Sequence, residues 1–585
     1  MYEILDKINS PQDLKSLSIG EMKALAQDIR DALMNRLSKH GGHFGPNFGM
    51  VEATIAMHYV FNSPVDKIVF DVSHQCYPHK MLTGRKLAYM DEAHFEDVSG
   101  YTNPEESEHD FFNVGHTSTS VSLAAGLAKA RDLTGGSENI IAVIGDGSLS
   151  GGEALEGLDL AGEMNSNFII VINDNDMSIA ENHGGMYKNL KALRDGSGKA
   201  DTNLFTAMGL DYVFVADGND LEQLIAAFRK VKDSQKPVAV HIVTLKGKGY
   251  KIAEENKENW HYAIPFDVKT GETKFSGGGE SYNSLTCDYL MEKMKKDKSV
   301  CAVTSATPTI MGFTADKREQ FKEQFIDVGI AEETAVALAS GIAKNGGKPV
   351  YGVYSTFMQR TYDQILQDVC INSNPVTFLV FSASIWGMSD VTHLGIYDIP
   401  MISNIPGLVY LAPTCAEEYL AMTEWAVEQT EYPVAIRVPS NGVVHSDRSF
   451  PADYSELNRY EVTKKGRDIA VIALGDFYQT GEQAVNVLAE KNINATLINP
   501  RYITGLDTEL LESLKADHKA VITLEDGVVD GGFGQKIAAY YSDSDMKVKC
   551  LGLEKKFYDR YNASEVLEEL GIVPGKIADA AVKML

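Results

Sequence analysis

The sequence predicts an α/β protein built from three open-sheet domains. In the first part of the chain, short runs of mainly β-branched residues alternate with segments whose apolar residues recur at helical spacing. These runs are IIAVI (140–144), FIIVIN (168–173) and VAVHIVTL (238–245). The last part repeats the alternation with DIAVIAL, NATLINP and KAVITLED. Such alternation is typical of parallel strands joined by crossover helices.

The length of the chain and a change in its composition predict how it divides into domains. A protein of 585 residues has room for about three or four domains. The stretch FDVKTGETKFSGGGESYN (266–283) is polar and rich in glycine, which is typical of a linker. We therefore expect a first domain at 1–270, a linker at 271–283, a second domain at 284–450 and a third at 451–585.

The overall composition narrows the class of protein and of partner. The formal net charge of −27 argues against nucleic acid and anionic membranes as partners, because both attract basic surfaces. No apolar run approaches the ~18 residues of a membrane span, and the first residues, MYEILDKINSPQDLKSLS, lack the apolar core of a signal peptide. The six cysteines are scattered without a CxxC pair, which favours a reduced cytoplasmic location over a disulfide framework or a zinc site.

The first domain is expected to open with an amphipathic helix. Ser18 and Glu21 have the spacing of a capping box, and the following residues, EMKALAQDIRDALMNRL, place apolar side chains at helical intervals.

The segment IIAVIGDGSLSGGEALEGLDLAG carries the first chemical signal. A buried strand is expected to end at Ile144, GDG to form the turn, and Ser150 with Glu153 to cap the next helix. Glycines let backbone amides approach a phosphate, and the start of a helix adds a favourable dipole. Asp146, between the glycines, would repel a phosphate unless a metal ion lay between them. GDG alone is equally consistent with an ordinary turn.

The next strand adds a second oxygen ligand. In FIIVINDNDMSIAEN, Asn175 follows Asp146 by 29 residues and stands where the strand ends, so the two side chains could meet at one edge of the sheet. Oxygen donors together with a diphosphate suit Mg²⁺, and the carbonyl of Met177 could supply a backbone ligand.

At this point the chain resembles a known family. GDG followed by this asparagine is similar to the thiamine diphosphate motif, and the order of the blocks is that of transketolase-like enzymes. Six further segments resemble the 1-deoxy-D-xylulose-5-phosphate synthase family: GGHFGPNFG (41–49), DVSHQCYPHKMLTGR (71–85), NVGHTSTS (113–120), TLKGKGY (244–250), DVGIAEETAV (327–336) and YSTFMQRTYDQ (354–364). The resemblance implies a diphosphate-binding first domain, a pyrimidine-binding second domain, a transketolase-like third domain, thiamine diphosphate and Mg²⁺ as cofactors, and a homodimer. The segment after NHGGMYKNL is shorter than the insertion usual in the family.

The resemblance assigns roles to two residues that would contact the pyrimidine of the cofactor. Glu332 matches the glutamate that hydrogen-bonds the pyrimidine ring nitrogen; without the match, it would be a first-turn acid favoured by the helix dipole, as we expect for Glu333. Phe357 matches the aromatic residue that stacks on the pyrimidine, although a lone Phe after a strand is more often a core residue. The other cofactor positions implied are His74, Gly115, His116, Thr117, Asp146, Gly147, Ser148, Asn175 and Tyr250, with Asp146, Asn175 and Met177 as the metal ligands.

Histidines account for most of the predicted catalytic residues. His43, His116 and His393 match family residues around the reacting carbon, and His74 and His261 match residues near the cofactor and the substrate channel. A side chain with an ordinary pKa of ~6.5 can both donate and accept protons near neutrality. Each histidine alone would more often be structural, which is how we interpret His40 and His79. The predicted catalytic set is His43, His116, His261, Glu332 and His393.

The implied reaction is the decarboxylation of pyruvate and transfer of the two-carbon acetyl equivalent to an aldehyde, which in the family is glyceraldehyde 3-phosphate. The family's product feeds isoprenoid, thiamine and pyridoxal synthesis. Three alternatives stay open: the same donor chemistry on an unphosphorylated or different aldehyde, ketol transfer of the transketolase type, and a cofactor-binding scaffold without turnover.

The sequence departs from the family where the aldehyde should bind. Ser382, in FSAS, stands where the family has an arginine in a DRAG-like stretch, and Ser440, in VPSNG, replaces the arginine of a PRGN-like stretch. Both arginines are associated with the acceptor phosphate, for which a serine offers only a weak neutral hydrogen bond. Asp390 stands one place from the family acid, at the position after Ser389. The predicted substrate residues are Tyr354, Arg360, Ser382, Asp390 and Ser440. Arg360 and Arg437 match other family positions and are candidates to offset part of the loss.

Overall fold

The computed structural model describes residues 2–274 and 279–585. Contacts divide the chain into two compact units, Met1–Gly278 with Gly329–Ala331 and Gly279–Val328 with Glu332–Leu585. Within the predicted linker at 271–283, residues 275–278 lie outside the described residues, and a helix begins at Tyr282.

The first unit contains a five-stranded parallel sheet of order β2-β3-β4-β6-β5 and a small antiparallel pair, β1-β7. The strands are β1 (Gly42–His43), β2 (Lys67–Phe70), β3 (Ile140–Gly145), β4 (Phe168–Asp174), β5 (Asp211–Val215), β6 (Val238–Val243) and β7 (Tyr262–Ala263). The predicted apolar runs are β3, β4 and β6. Their side chains are almost entirely buried because helices cover both faces of the sheet.

The helices of the first unit connect and cover these strands. The α-helices are Ile19–His40, Gly45–Gly49, Val51–Val60, Tyr77–Lys80, Leu87–Met90, Ser120–Thr134, Gly152–Glu163, Met186–Asp195, Leu204–Ala207, Leu221–Val231 and Lys251–Glu255, with shorter helical turns at Leu5–Lys7, Pro11–Ser16, Met81–Arg85, Glu92–Asp97 and Gly147–Ser150. The predicted capping box is present: the Ser18 hydroxyl accepts from the N–H of Glu21, and the Glu21 carboxylate accepts from the N–H of Ser18.

The second unit contains two sheets. The first has six parallel strands in the order β12-β13-β11-β10-β8-β9. They are β8 (Val300–Thr304), β9 (Phe325–Asp327), β10 (Lys348–Tyr354), β11 (Thr377–Phe381), β12 (Val409–Leu411) and β13 (Val434–Arg437). The second has the order β14-β16-β15-β17-β18, with only β14 antiparallel. Its strands are β14 (Glu461–Lys464), β15 (Asp468–Ala473), β16 (Thr496–Asn499), β17 (His518–Val528) and β18 (Lys547–Leu553).

Helices again fill the connections between the parallel strands. The α-helices of the second unit are Tyr282–Lys296, Ala315–Gln320, Glu332–Lys344, Ser355–Met358, Tyr362–Gln364, Asp398–Ile402, Ala416–Glu428, Tyr478–Glu490, Thr508–Leu514, Phe533–Tyr540, Ala563–Glu569 and Pro574–Met584, with shorter turns at Pro308–Met311, Gln359–Thr361, Ile365–Cys370 and Gly475–Phe477. Three open, mainly parallel sheets with helices between their strands confirm the predicted fold class. Across the described ranges, no helix is both long and apolar enough to cross a membrane.

Candidate active site

Two adjacent parallel strands of the first unit bring the predicted metal ligands together. Gly145 of β3 pairs with Asn173 of β4, so the residues that follow the two strands share one edge of the sheet. Asp146 is 1% exposed, and its carboxylate accepts hydrogen bonds from the N–H of Asn175 and from the side-chain amide of Asn182, at 2.7 Å. Asn182, which the sequence analysis did not single out, therefore orients the aspartate.

The electrostatics of this edge fit a divalent cation. Burial, together with the nearby charge of Asp174, raises the pKa of Asp146 to about 7. The side-chain oxygen of Asn175 is buried and accepts no hydrogen bond from any described residue. A bound Mg²⁺ would use this oxygen and compensate the buried carboxylate, and both are the oxygen ligands it prefers. The described residues contain no group of three or more His, Cys, Asp or Glu side chains placed to hold a metal.

The turn after Asp146 corrects one prediction. Ser150 does not cap the next helix: its hydroxyl donates to the carbonyl of Gly147 at 2.9 Å, and the helix Gly152–Glu163 begins after Gly151. Ser150 instead closes the single helical turn Gly147–Ser150. A side chain at Gly147 would put its Cβ 3.0 Å from the backbone and the side chain of Ser178, a tight contact that favours glycine at this position.

Three of the predicted histidines form a cluster in the first unit. The ring of His43 lies 5.0 Å from that of His74 and 5.8 Å from that of His261, and the rings of His74 and His261 stack at 5.3 Å. The β1-β7 pairing produces this arrangement because it places His43 opposite Tyr262, the neighbour of His261. The hydroxyl of Tyr77 lies 3.4 Å from Nδ1 of His43.

A buried lysine connects this cluster to the sheet edge that carries Asp146 and Asn175, and the sequence analysis missed it. Nζ of Lys246 donates to the carbonyl of Ser178 at 2.6 Å and lies 3.1 Å from Nδ1 of His261. Burial lowers the pKa of Lys246 to about 7. Burial and the neighbouring Lys246 also hold the pKa of His261 well below its usual value, so His261 is a neutral hydrogen-bonding group. The only signal in the sequence was the KGKG of TLKGKGY, which contains Lys246.

The turn that carries Gly115, His116 and Thr117 is fixed by a buried aspartate. The carboxylate of Asp71 accepts from the N–H groups of Ser118 and Ser120, at 2.8 and 3.0 Å. The hydroxyl of Ser118 donates to the carbonyl of Ser148 at 2.8 Å. The turn with His116 is thereby tied to the turn that follows Asp146.

In the second unit, Glu332 is the first residue of the helix Glu332–Lys344 and is only 4% exposed. Its Oε2 is buried and accepts no hydrogen bond from the part of the chain that the structure describes. Burial raises the pKa of Glu332 to about 7, although Arg360, with Nη1 3.8 Å from Oε2, acts in the opposite direction. A helix first-turn acid would be exposed and ionised, so the burial favours the cofactor role over that alternative.

Three further predicted residues of this unit, Tyr354, Phe357 and His393, lie in a row. The ring of Phe357 lies 5.5 Å from that of Tyr354 and 5.6 Å from that of His393. Asp390 and His393 form a long ion pair, with Oδ1 3.9 Å from Nδ1. Thr392, which the sequence analysis missed, bridges them: its Oγ1 donates to Asp390 at 2.6 Å and lies 2.8 Å from Nδ1 of His393.

Comparisons with known proteins match all three parts of the chain. A family model described as 1-deoxy-D-xylulose-5-phosphate synthase matches residues 5–203 and 197–244, one for the transketolase pyrimidine-binding domain matches 281–443, and one for the transketolase C-terminal domain matches 458–577. The 1-deoxy-D-xylulose-5-phosphate synthase of Alkaliphilus oremlandii is 37% identical over 624 aligned residues, covering 100% of this chain and 99% of the relative. That of Caldanaerobacter subterraneus is 38% identical and covers 99% of each chain.

The chain belongs to the 1-deoxy-D-xylulose-5-phosphate synthase family. The predicted resemblance, the transketolase-like fold and the assignment to a transferase family of carboligases are therefore confirmed. A solved Pichia stipitis transketolase in complex with sedoheptulose 7-phosphate is also similar, with 17% identity, a TM-score of 0.45, and coverage of 97% of this chain and 98% of that one.

For this member of the family, the structure does not bring every predicted residue to the site. Tyr250 is buried among Phe44, Trp260 and Phe266, and its hydroxyl donates to the carbonyl of Val268 at 3.0 Å. Its position is that of a core residue, because both its ring and its hydroxyl are used inside the first unit.

Arg437 does not offset the missing arginines. It is fully buried, its Nε donates to Asp398 at 2.7 Å and its Nη1 donates to Asp526. A guanidinium held by two carboxylates has no charge or donor geometry left for a substrate phosphate. Arg360 faces Glu332, as described above.

The hydrogen bond from Asn182 to Asp146 gives a testable prediction for this family member. We expect Asn182→Ala to weaken Mg²⁺ binding by about 10- to 100-fold, because groups that orient a metal ligand commonly contribute that much. Isothermal titration of Mg²⁺ in the presence of thiamine diphosphate measures the effect. Asn165→Ala, at an exposed asparagine between the helix Gly152–Glu163 and β4, is the control, and equal affinities in the two variants would contradict the role of Asn182.

Proposed function

We propose that the protein is a thiamine diphosphate- and Mg²⁺-dependent carboligase that decarboxylates pyruvate and joins the acetyl unit to an aldehyde. The observation that supports this most directly is Glu332, a buried carboxyl with an oxygen that no described residue satisfies and a pKa raised by burial to about 7. Perturbed, unsatisfied acids of this kind are typical of functional sites, because they are costly to keep without a ligand.

The first unit supplies the residues that would hold the diphosphate and metal. Asp146, Asn175 and the carbonyl of Met177 would bind Mg²⁺, and the turn Gly147–Ser150 offers backbone amides to phosphate oxygens. The other residues proposed to contact the cofactor from this unit are His74, Gly115, His116, Thr117, Gly147 and Ser148. When bound, thiamine diphosphate supplies a nucleophilic carbon and accepts the electron pair released with carbon dioxide.

The second unit supplies proton control. With a pKa of about 7, Glu332 can share its proton with a ring nitrogen of the pyrimidine, and Phe357 offers an aromatic face to the ring. Thr392 donates to Asp390 and can accept from Nδ1–H of His393, which leaves Nε2 of His393 as a proton acceptor. His43 and His116 are proposed as further proton donors and acceptors around the reacting groups, and His261 as a neutral hydrogen-bonding group beside them.

Release of carbon dioxide from pyruvate tests the proposal. Purified protein with Mg²⁺, thiamine diphosphate and an aldehyde should release one carbon dioxide for each hydroxyketone formed, and withholding either cofactor should abolish release. A protein that binds the cofactor tightly yet releases no carbon dioxide with any aldehyde would instead be a scaffold.

We also propose that the protein is a cytoplasmic homodimer. The family resemblance supports the dimer, and the acidic composition with scattered, free cysteines supports the location. Light scattering coupled to gel filtration should give twice the mass of one chain, and a monomer mass would contradict the dimer.

A further inference from the structure

The second unit contains a cavity of ≈ 290 Å³ that the proposed function has not used. Its walls include Tyr282, Tyr354, Ser382, Trp386, Met388 and Ser440, and we call it the Ser382 cavity. Phe381, Ile310 and Val443 add apolar surface, and Glu280, Ser281 and Asn283 add polar groups, so the walls combine apolar and polar surface. A site of this kind suits a small molecule with both apolar and polar groups.

The Ser382 cavity adjoins the proposed catalytic residues of its unit. Tyr354 forms part of its wall, the ring of Tyr354 contacts Phe357, and Phe357 contacts His393. Trp386 and Met388, also in the wall, belong to the same loop as His393. A molecule in this cavity therefore lies next to the row of residues that the proposed function assigns to proton control.

The charges around the Ser382 cavity do not favour an anion. None of the described residues that line it is lysine or arginine, and Glu280 contributes a carboxylate. His445, beside Glu280, is a positive feature that already pairs with the carboxylates of Glu280 and Glu417. A second positive feature is the start of the helix Tyr282–Lys296. Ser281 already accepts a hydrogen bond from its third residue, and Glu280 stands directly before the helix. A carboxylate at a helix start satisfies the same dipole that would otherwise attract a phosphate.

Ser440 has no donor left for a ligand in this cavity. Its N–H donates to the carboxyl of Asp476 at 2.8 Å, and its hydroxyl donates to the carbonyl of Ala383 at 2.8 Å. Asp476, which accepts from this N–H, carries no positive charge in either protonation state. The buried guanidinium of Arg437, three residues before Ser440, is neutralised by Asp398 and Asp526.

From these contacts we infer that the Ser382 cavity binds the aldehyde acceptor and that this acceptor is uncharged, without a phosphate group. The inference rests on the proposed function and specifies its second substrate. A phosphate dianion brought into this cavity would gain no cation from the described lining residues, so its charge would stay uncompensated. An uncharged hydroxyaldehyde has no such cost, and its hydroxyl can hydrogen-bond to Ser382.

The reaction then balances without a further reactant. The C1–C2 bond of pyruvate breaks and carbon dioxide leaves. The electron pair that remains on C2 forms a bond to the aldehyde carbon, and the aldehyde oxygen takes one proton. The product is an uncharged hydroxyketone, which must be consumed by an enzyme that accepts an unphosphorylated ketose or by a kinase that phosphorylates it.

A matched pair of acceptors tests the inference. With pyruvate, Mg²⁺ and thiamine diphosphate present, D-glyceraldehyde is expected to give a kcat/KM at least about 10-fold above that of D-glyceraldehyde 3-phosphate. This expectation corresponds to the loss of a single charge-assisted contact for the phosphate. Equal values or a preference for the phosphorylated aldehyde, with carbon dioxide still released, would overturn the inference and leave the proposed function standing. No carbon dioxide with either aldehyde would overturn both.

A variant pair tests the location of the acceptor. Ser382→Arg should raise kcat/KM for D-glyceraldehyde 3-phosphate relative to D-glyceraldehyde by about 10-fold or more, because it places a guanidinium in the wall of the cavity. Ser382→Gln has a long side chain without the charge and keeps the same left-handed backbone strain, at φ 50. Both variants should show a folded circular dichroism spectrum. An equal acceptor ratio in the two folded variants would show that the aldehyde binds elsewhere.

Discussion

Replacing Glu332 with alanine is expected to reduce the turnover of pyruvate by about 10²- to 10⁴-fold, the range that a positioned acid or base contributes. The carboxyl is buried at the first residue of a helix, and Arg360 is the only described cation that forms an ion pair with it. Alanine removes the group that can exchange a proton with the pyrimidine but leaves the helix, for which alanine has high propensity. Carbon dioxide release at saturating thiamine diphosphate is the measurement.

The neighbouring Glu333 provides the control. It occupies the same helical turn without the burial of Glu332, and Glu333→Ala should keep turnover within a factor of about two. The pH profile separates a catalytic from a structural role. Because its pKa is raised to about 7, Glu332 is protonated below that pH and loses the proton as pH rises through it. The wild-type kcat/KM should fall above pH 7, and this fall should be missing from Glu332→Gln. Near-normal turnover in Glu332→Ala would refute the proposed role.

The second large effect is expected for Asp146→Asn, which should weaken Mg²⁺-dependent binding of thiamine diphosphate by at least about 100-fold. Asparagine keeps the size and can still bond to Asn182, but it removes the carboxylate that would bind the metal and oppose the diphosphate charge. Isothermal titration of thiamine diphosphate at fixed Mg²⁺ gives the affinity directly, independent of turnover.

Protons should compete with the metal at this site. The raised pKa of Asp146, about 7, means that the wild-type affinity for Mg²⁺ falls as pH drops below 7, and the dependence should disappear in Asp146→Asn. Asp195→Asn removes the same charge from an exposed helix end and is the matched control. Equal affinities for Asp146→Asn and Asp195→Asn would exclude Asp146 as a ligand.

The meeting of Asp146 and Asn175 at one edge of the sheet could be predicted from the sequence because both residues follow adjacent strands. Asp146 ends one apolar run and Asn175 ends the next, and strands that succeed each other in a parallel sheet are commonly neighbours. The same reasoning predicted the first and the third sheet, since their apolar runs are almost continuous and the segments between them are helical. Glu332 and Phe357 required the resemblance, because neither has a local pattern that differs from a helix acid or a core aromatic.

Other features depend on contacts between distant parts of the chain. Lys246 reaches Ser178, 68 residues away, and Asp71 reaches Ser118, 47 residues away, so neither role follows from neighbouring residues. The prediction that Ser150 caps the next helix was wrong for a local reason. Gly151 is the residue that precedes this helix, and Ser150 closes the preceding turn. The role of Thr392 was not predicted because the spacing of Asp390 and His393 does not show that a hydroxyl bonds to both.

The pairing of β1 with β7 has a consequence for folding. It joins Gly42 and His43 to Ala263 and Tyr262, and so closes a loop of more than half of the first unit. Closing so long a loop costs chain entropy, and two residue pairs offset little of that cost. The stabilisation comes from the aromatic cluster around it, including Phe44, Trp260 and Phe266. His43 and His261 can meet only after residues 260–266 have docked, whereas the five-stranded sheet ends at Val243 and does not need them. During synthesis, the sheet could therefore form first, and the histidine cluster would be assembled last.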